Sequence, residues 1–414
     1  MKIKKYQIVG FLLVVSSLLM VLNTQIKGHS TSTDIKKDLY QQEEKSSKVV
    51  VTQKNVVIKK RTYRYVEYEK IRPGVIRLRY IVPQDKVLVI PSELDGYKVE
   101  ELGKDTESDI EGKYVNITRG KKVKKVVIGK GVRTIKDHAF YSMDVSEVIL
   151  PKSLRYIGDF AFSGDNCTLQ KINLDWVEEI GYGAFYDCQN LKKIRLQNEK
   201  VVVGPDAFGA CSHLKEIKLP KKMKGRLEGS CFAGTGIKEI KWPRIAGRVE
   251  KCIESSVFAD CRNLKKVEFP KNQKHIYIGH NMFIGCGKLH KLVFPKGTGL
   301  VTYQSTPCAE NYAKSVTTLE FQDANTSVRG NKYRARNGKW KYDFITVNKI
   351  IAPKNSKAAR YAKKAICIKK FTKKGLKILK EDDGTENYNP IEDTKATAYR
   401  IQIFEKGKVK LLET

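Results

Sequence analysis

The sequence predicts a repeat solenoid: short parallel strands stacked into one sheet on a concave side, with loops and short helical turns on the convex side. Three observations carry this. The pattern L-x-x-I-x-L, often followed by Pro and closed by A-F-x-x-C, recurs through the middle of the chain. Its Phe residues (Phe140, Phe162, Phe185, Phe208, Phe232, Phe258 and Phe283) follow one another at steps of 22, 23, 23, 24, 26 and 25 residues. Self-similarity at a period of roughly 20–50 residues marks a chain built by stacking one supersecondary unit on the next.

Leu191–Cys211 shows what one unit does. Ile194 and Leu196 alternate with Lys193 and Arg195, so a short strand buries one set and exposes the other. Where Pro follows, as at Pro151, Pro220, Pro243, Pro270 and Pro295, it cannot donate to a ladder and ends the strand. Gly-x-x-Ala-Phe is too short for a long helix and predicts a loop or one helical turn that carries Phe into a continuous spine.

The 414 residues divide, on this reading, into five parts. Residues 1–28 read as an export signal or N-terminal anchor: Lys2, Lys4 and Lys5 precede an apolar run from Ile8 to Leu22, short for a membrane span of about 20 residues. Residues 29–60 are polar and predict a linker, and 61–122 alternate with period two and predict an N-terminal β capping unit. Residues 123–365 hold the repeats and a C-terminal cap, whose helix over Ser356–Lys364 has Ser356 as its N-cap. Residues 366–414 form a basic extension ending in a β-hairpin, Tyr399–Phe404 with Val409–Leu412.

Cys188, Cys211, Cys261 and Cys286 each stand three residues after the repeat's Phe, which predicts a buried ladder of free thiols acting as small apolar fillers. Structural disulfides are the other reading, and Cys252, Cys308 and Cys367 lie off the ladder.

These residues resemble the BspA-type leucine-rich-repeat family of secreted and surface proteins. The family pattern is met almost completely at Val145–Cys167, the opening Ile90–Val99 is similar to its usual lead-in, and Ser356–Lys364 to its usual cap. The likeness implies a leucine-rich-repeat solenoid, β-rich α/β, over about Val87 to Ile368, and a role in binding proteins, surfaces or other cells. The chain departs from the pattern between Pro220 and Phe258, where the units are longer and more basic and Cys231 replaces the Ala before Phe232.

The formal charge of +34 points to an anionic partner. The predicted export argues against nucleic acid, and membrane contact is expected only through an uncleaved N-terminal segment. The strand alternation defines 24 outward sheet positions holding 13 Lys/Arg and 4 Glu, a net +9, where the chain average would put about +2. Eleven of them, Lys171, Lys192, Lys193, Arg195, Lys215, Lys218, Lys238, Lys241, Lys265, Lys266 and Lys291, are the candidate ligand-binding residues. One reading makes this face simply solvated. The sharper one makes it an anion-binding strip centred on Lys193, Arg195, Lys218 and Lys241.

No H-E-x-x-H, C-x-x-C, G-x-x-x-x-G-K-[ST] or G-x-S-x-G occurs, the histidines are scattered, and no metal or cofactor is expected. The chain therefore reads as a non-enzymatic binder of a protein or cell-surface ligand. A binder of anionic wall polymer or acidic glycan is the alternative, and a hydrolase with an unrecognised site is the alternative from another class. Asn116-Ile-Thr, Asn166-Cys-Thr and Asn325-Thr-Ser match the glycosylation sequon.

Overall fold

The computed structural model describes residues 50–104, 116–120, 122–164, 167–246, 251–303, 316, 318–330, 332–334, 340–342, 349–365, 371–372, 375–376, 400–405 and 408–413. The export signal, the first part of the expected linker, Cys308 and Cys367 lie outside them. No helix among the described residues is long and apolar enough to cross a membrane.

The repeats stack as the alternation requires, in parallel and in register. Val87–Ile90 pairs with Lys125–Ile128, and that strand with Glu147–Ile149, which bridges to Lys171. Further along, Lys193–Arg195 pairs with Glu216–Lys218, and Glu239–Lys241 with Lys266–Glu268. The succession continues through Lys291–Phe294, Thr318–Phe321 and Lys349–Pro353.

The other side of the coil carries a second parallel ladder that the repeat pattern alone did not separate from the loops. It runs through Tyr97–Leu102, Thr134–Ile135, Tyr156–Ile157, Glu179–Ile180, Val202–Val203 and Arg226–Leu227. A later set joins His275–Ile278, Leu300–Tyr303 and Ser327–Arg329. In several copies the Gly that follows these strands lies close against the neighbouring backbone. A Cβ on Gly181 would lie 2.8 Å from Asp159 N.

The turn after each such Gly is not helical, and the backbone shows why. Two residues before the spine Phe, positions 138, 160, 183, 206, 230, 256 and 281 all take left-handed φ between 51° and 57°. Two residues after it, positions 142, 164, 187, 210, 234, 260 and 285 again have positive φ, from 52° to 111°. Left-handed residues occur singly and break a right-handed helix. In place of helical bonds, the N–H of each Phe from Phe140 to Phe258 donates to the carbonyl of the residue before the next Phe, as from Phe140 to Ala161 and Phe185 to Ala207, both 2.8 Å.

The spine is continuous. Phe140 to Phe283 are no more than 2% exposed, and each ring stacks on the next at centroid distances of 5.0 to 6.0 Å. The cysteine ladder is more than filler. Sγ of Cys211, Cys261 and Cys286 donates to the carbonyl of Phe185, Phe232 and Phe258 at 3.1, 3.2 and 3.0 Å, a second donor to carbonyls that already accept from Cys188 N, the Thr235 hydroxyl and Cys261 N within the turns. Thr235 stands at the Cys position of its copy, and its hydroxyl donates to Phe232 O at 2.9 Å. The free-thiol reading needs one correction: Cys188 is bonded to Cys167, whose Cα lies 5.3 Å away, because parallel stacking brings the two repeats within disulfide reach. Cys211, Cys231, Cys261 and Cys286 are free and buried, and Cys252 is buried.

Both ends are antiparallel. Val50–Ile58, Arg61–Arg72 and Val75–Pro83 form a meander that joins Tyr97–Leu102. The linker expected over 29–60 is therefore strand from Val50 onward, because Val50–Ile58 pairs along its length with Arg61–Glu69. At the far end, the Ser356 hydroxyl accepts from Ala359 N at 3.0 Å and starts the helix Lys357–Ala365. The expected hairpin, Arg400–Glu405 with Lys408–Glu413, is present and adds in parallel to Lys349–Pro353.

Candidate functional site

The first ladder's outward positions are exposed because their neighbours are not. Around Lys192, Lys193 and Arg195, Leu191, Ile194 and Leu196 are at most 2% exposed, and the stacked strands leave the charged side chains no interior to enter. All eleven predicted residues are exposed. Register places Lys193 beside Glu216, Arg195 beside Lys218, Glu239 beside Lys266 and Lys241 beside Glu268.

The ladder divides the eleven into two groups. Arg195 grips Asp175, with Nε to Oδ1 at 2.8 Å and a second nitrogen on the other oxygen. Lys218 pairs with Glu216 at 2.9 Å and holds its carboxyl below the usual range by hydrogen bonding. Lys266 pairs with Glu268 at 3.4 Å, and Lys291 with Glu320. Among the described residues, Lys171, Lys192, Lys193, Lys215, Lys238, Lys241 and Lys265 have no carboxylate within 4.0 Å. The expected strip centre is thus half neutralised, since Arg195 and Lys218 have partners while Lys193 and Lys241 do not. The partner Asp175, one position after Leu174, is a signal that the strand pattern alone passed over.

Elsewhere the ionisable groups serve the fold. Arg77 contacts Glu101 at 2.7 Å and Glu69 at 3.5 Å, while Glu67 meets Arg79 at 3.2 Å and Arg119 at 3.6 Å. Arg119 also lies 4.2 Å from the Tyr65 ring centroid and 4.4 Å from that of Tyr80. Burial pushes the Cys211 thiol up to about 12, away from the thiolate a nucleophile needs. Among the described residues no group of three His, Cys, Asp or Glu is placed to hold a metal ion. Asn116 of the first sequon is buried, its amide donating to Tyr141 O at 3.0 Å, while Asn325 is exposed and Asn166 lies outside the described residues.

Residues 117–234 and 178–305 match the family described as BspA type Leucine rich repeat region, in six copies. Among solved structures, the chain is similar to a leucine-rich repeat protein from Bacteroides ovatus at 23% identity, covering 72% of this chain and 71% of that one with a TM-score of 0.47. It is also similar to the T. pallidum Leucine Rich Repeat protein (23% identity, 57% and 91% covered, TM-score 0.38). A third is a leucine rich cell surface protein from Faecalibacterium prausnitzii (16% identity, 68% and 90% covered, TM-score 0.38). No curated protein matches the chain.

Proposed function

We propose, from the premise that the repeat region over residues 117–305 belongs to the BspA-type leucine-rich-repeat family, that this protein is an exported or surface-attached, non-catalytic scaffold. It binds an acidic protein or cell-surface ligand through the outer face of its first ladder. The observation that carries this reading is the set of seven exposed lysines without a carboxylate partner on a backbone held by parallel ladders and a stacked core. Their ammonium groups are solvated in the free protein and available to an anion, on strands that need no rearrangement to present them. Export rests on Lys2, Lys4, Lys5 and the apolar run Ile8–Leu22.

Binding of the full chain to an array of acidic glycans and wall polymers, at low and physiological salt, tests the reading. Binding should weaken strongly as salt rises. The variant carrying Lys193→Glu, Arg195→Glu, Lys218→Glu and Lys241→Glu should lose it while remaining folded by circular dichroism, although two of the four changes each give up an ion pair. Retained binding by that variant would refute this face as the binding surface.

A further inference from the structure

The outward positions fall into three rows running across the strands, and the rows differ in one respect. The row before the buried Ile mixes signs: Lys125, Glu147, Lys171, Lys193, Glu216, Glu239, Lys266 and Lys291. The row after it also meets acid, at Glu268 and then Glu320, and Arg195 and Lys218 have partners there. The row flanking the strands contains no acid in any copy. At its centre it is four lysines in succession, Lys192, Lys215, Lys238 and Lys265, all exposed and none with a carboxylate within 4.0 Å among the described residues.

Parallel stacking sets such neighbours about 4.8 Å apart, and Lys215 N to Lys192 O and Lys265 N to Lys238 O, both 2.9 Å, fix two of the steps. Like charges directly opposite one another on adjacent strands are unfavourable. The other two rows relieve that repulsion with glutamates and this one does not. At that spacing the four backbone positions span about 14 Å, with Glu216–Lys218 and Glu239–Lys241 side by side but not joined by ladder bonds.

Resting on the binding-face reading above, we propose that this row is the seat of an extended, linear polyanion that lies across the repeats, its phosphoryl or carboxylate groups meeting Lys192, Lys215, Lys238 and Lys265 in turn. A thin chain fits the pattern better than a compact acidic protein. A protein footprint of about 800 Å² would spread over Glu147, Glu216, Glu239 and Glu268 on the same face. A chain one residue wide follows the row and avoids them. Mobile lysine stems let each ammonium group adjust to the charge spacing of the polymer.

The test uses the full chain with inorganic polyphosphate and poly-L-glutamate of graded length, and a compact acidic protein as the third probe. Two variants lose the same charge: Lys192→Gln, Lys215→Gln, Lys238→Gln and Lys265→Gln in the row, and Lys130→Gln, Lys152→Gln, Lys200→Gln and Lys274→Gln off it. Affinity for at least one polymer should rise with length and level off once the row is spanned. The row variant should lose about tenfold or more, with the slope of log affinity against log salt shallower by about 3, from roughly 0.7 per contact on a flexible polyanion. The off-row variant should change less than about threefold. Binding to polyphosphate alone assigns phosphoryl chemistry, and binding to poly-L-glutamate alone assigns carboxylate chemistry. Equal losses in the two variants overturn the row while leaving a basic binding face. Binding of the compact protein without either polymer overturns the extended ligand. Absence of binding to every probe removes both this inference and the binding-face reading.

Discussion

The first and second halves of the Phe spine are built from the same unit and do not pack alike. From Phe140 to Phe208 the rings sit 5.0, 5.1 and 5.0 Å apart and within 4° of parallel. From Phe208 to Phe283 the separations are 5.6, 5.8 and 6.0 Å and the tilts reach 21°. The inter-repeat bond from the Phe N–H follows the same trend, from 2.8 Å at Phe140 to 3.1 Å at Phe258. Two sequence changes coincide with the opening. The repeat lengthens from 22 or 23 residues to 24, 26 and 25, and the residue before Phe changes from Ala161, Ala184 and Ala207 to Cys231, Val257 and Met282. Trp242 enters the wider half, 5.9 Å from Phe258 and 5.3 Å from Phe269, and a second stack begins at Phe269, Phe294 and Phe321. The comparison teaches that stacking tolerates insertions when bulk is added beside the spine, so the half with longer units could diversify its surface while keeping its core.

The largest effect that would break this picture is at the junction. Phe208→Ala should cost about 3–5 kcal/mol, read as a lowered melting temperature in calorimetry. An unchanged temperature would show that Phe208 is not part of the spine. Next, the Cys167–Cys188 bond closes a separation of 21 residues within the tight half, so Cys188→Ser should cost about 3 kcal/mol by loop closure. Denaturation with and without reductant checks it: reduction should lower the midpoint of the parent by more than that of the variant, because Cys231, Cys261 and Cys286 in the looser half are already free.

The smallest effect concerns Asp206, just before the junction. Burial pushes its carboxyl up to about 6, above its value in the unfolded chain. The folded state therefore holds the proton more tightly, and stability falls as pH rises through that interval. The penalty is absent below about pH 4 and complete above about pH 6. Asp206→Asn keeps a residue that tolerates the local φ of 51°. It should melt higher than the parent at neutral pH, with the gap closing in acid. A gap independent of pH would assign the difference to packing.

Most of the interior was legible because stacking demands the same residue type at the same place in every copy. Leu191, Ile194, Leu196, Phe208 and Cys211 recur in kind, and all are buried. The second ladder was harder to see, since Tyr156–Ile157 or Glu179–Ile180 is too short to show an alternation. The left-handed turn positions hold His138, Phe160, Gly183, Asp206, Ser230, Ser256 and Asn281, a set united by backbone conformation and not by side-chain chemistry. On the outer face, the exposure of Lys192, Lys193 and Arg195 followed from alternation. The pairing of Arg195 with Asp175 did not, because it joins residues 20 positions apart through the ladder.

The antiparallel ends described above have a consequence for how such a chain can change over generations. The meander from Val50 feeds the second ladder at one end, and the hairpin Arg400–Glu413 finishes the first ladder at the other. The described repeats between them are variants of one unit. A duplication or deletion of one whole unit would alter the length of the lysine row while both terminal seals stay as they are. The length of the outer face can then evolve by counting units, without a new solution for either end.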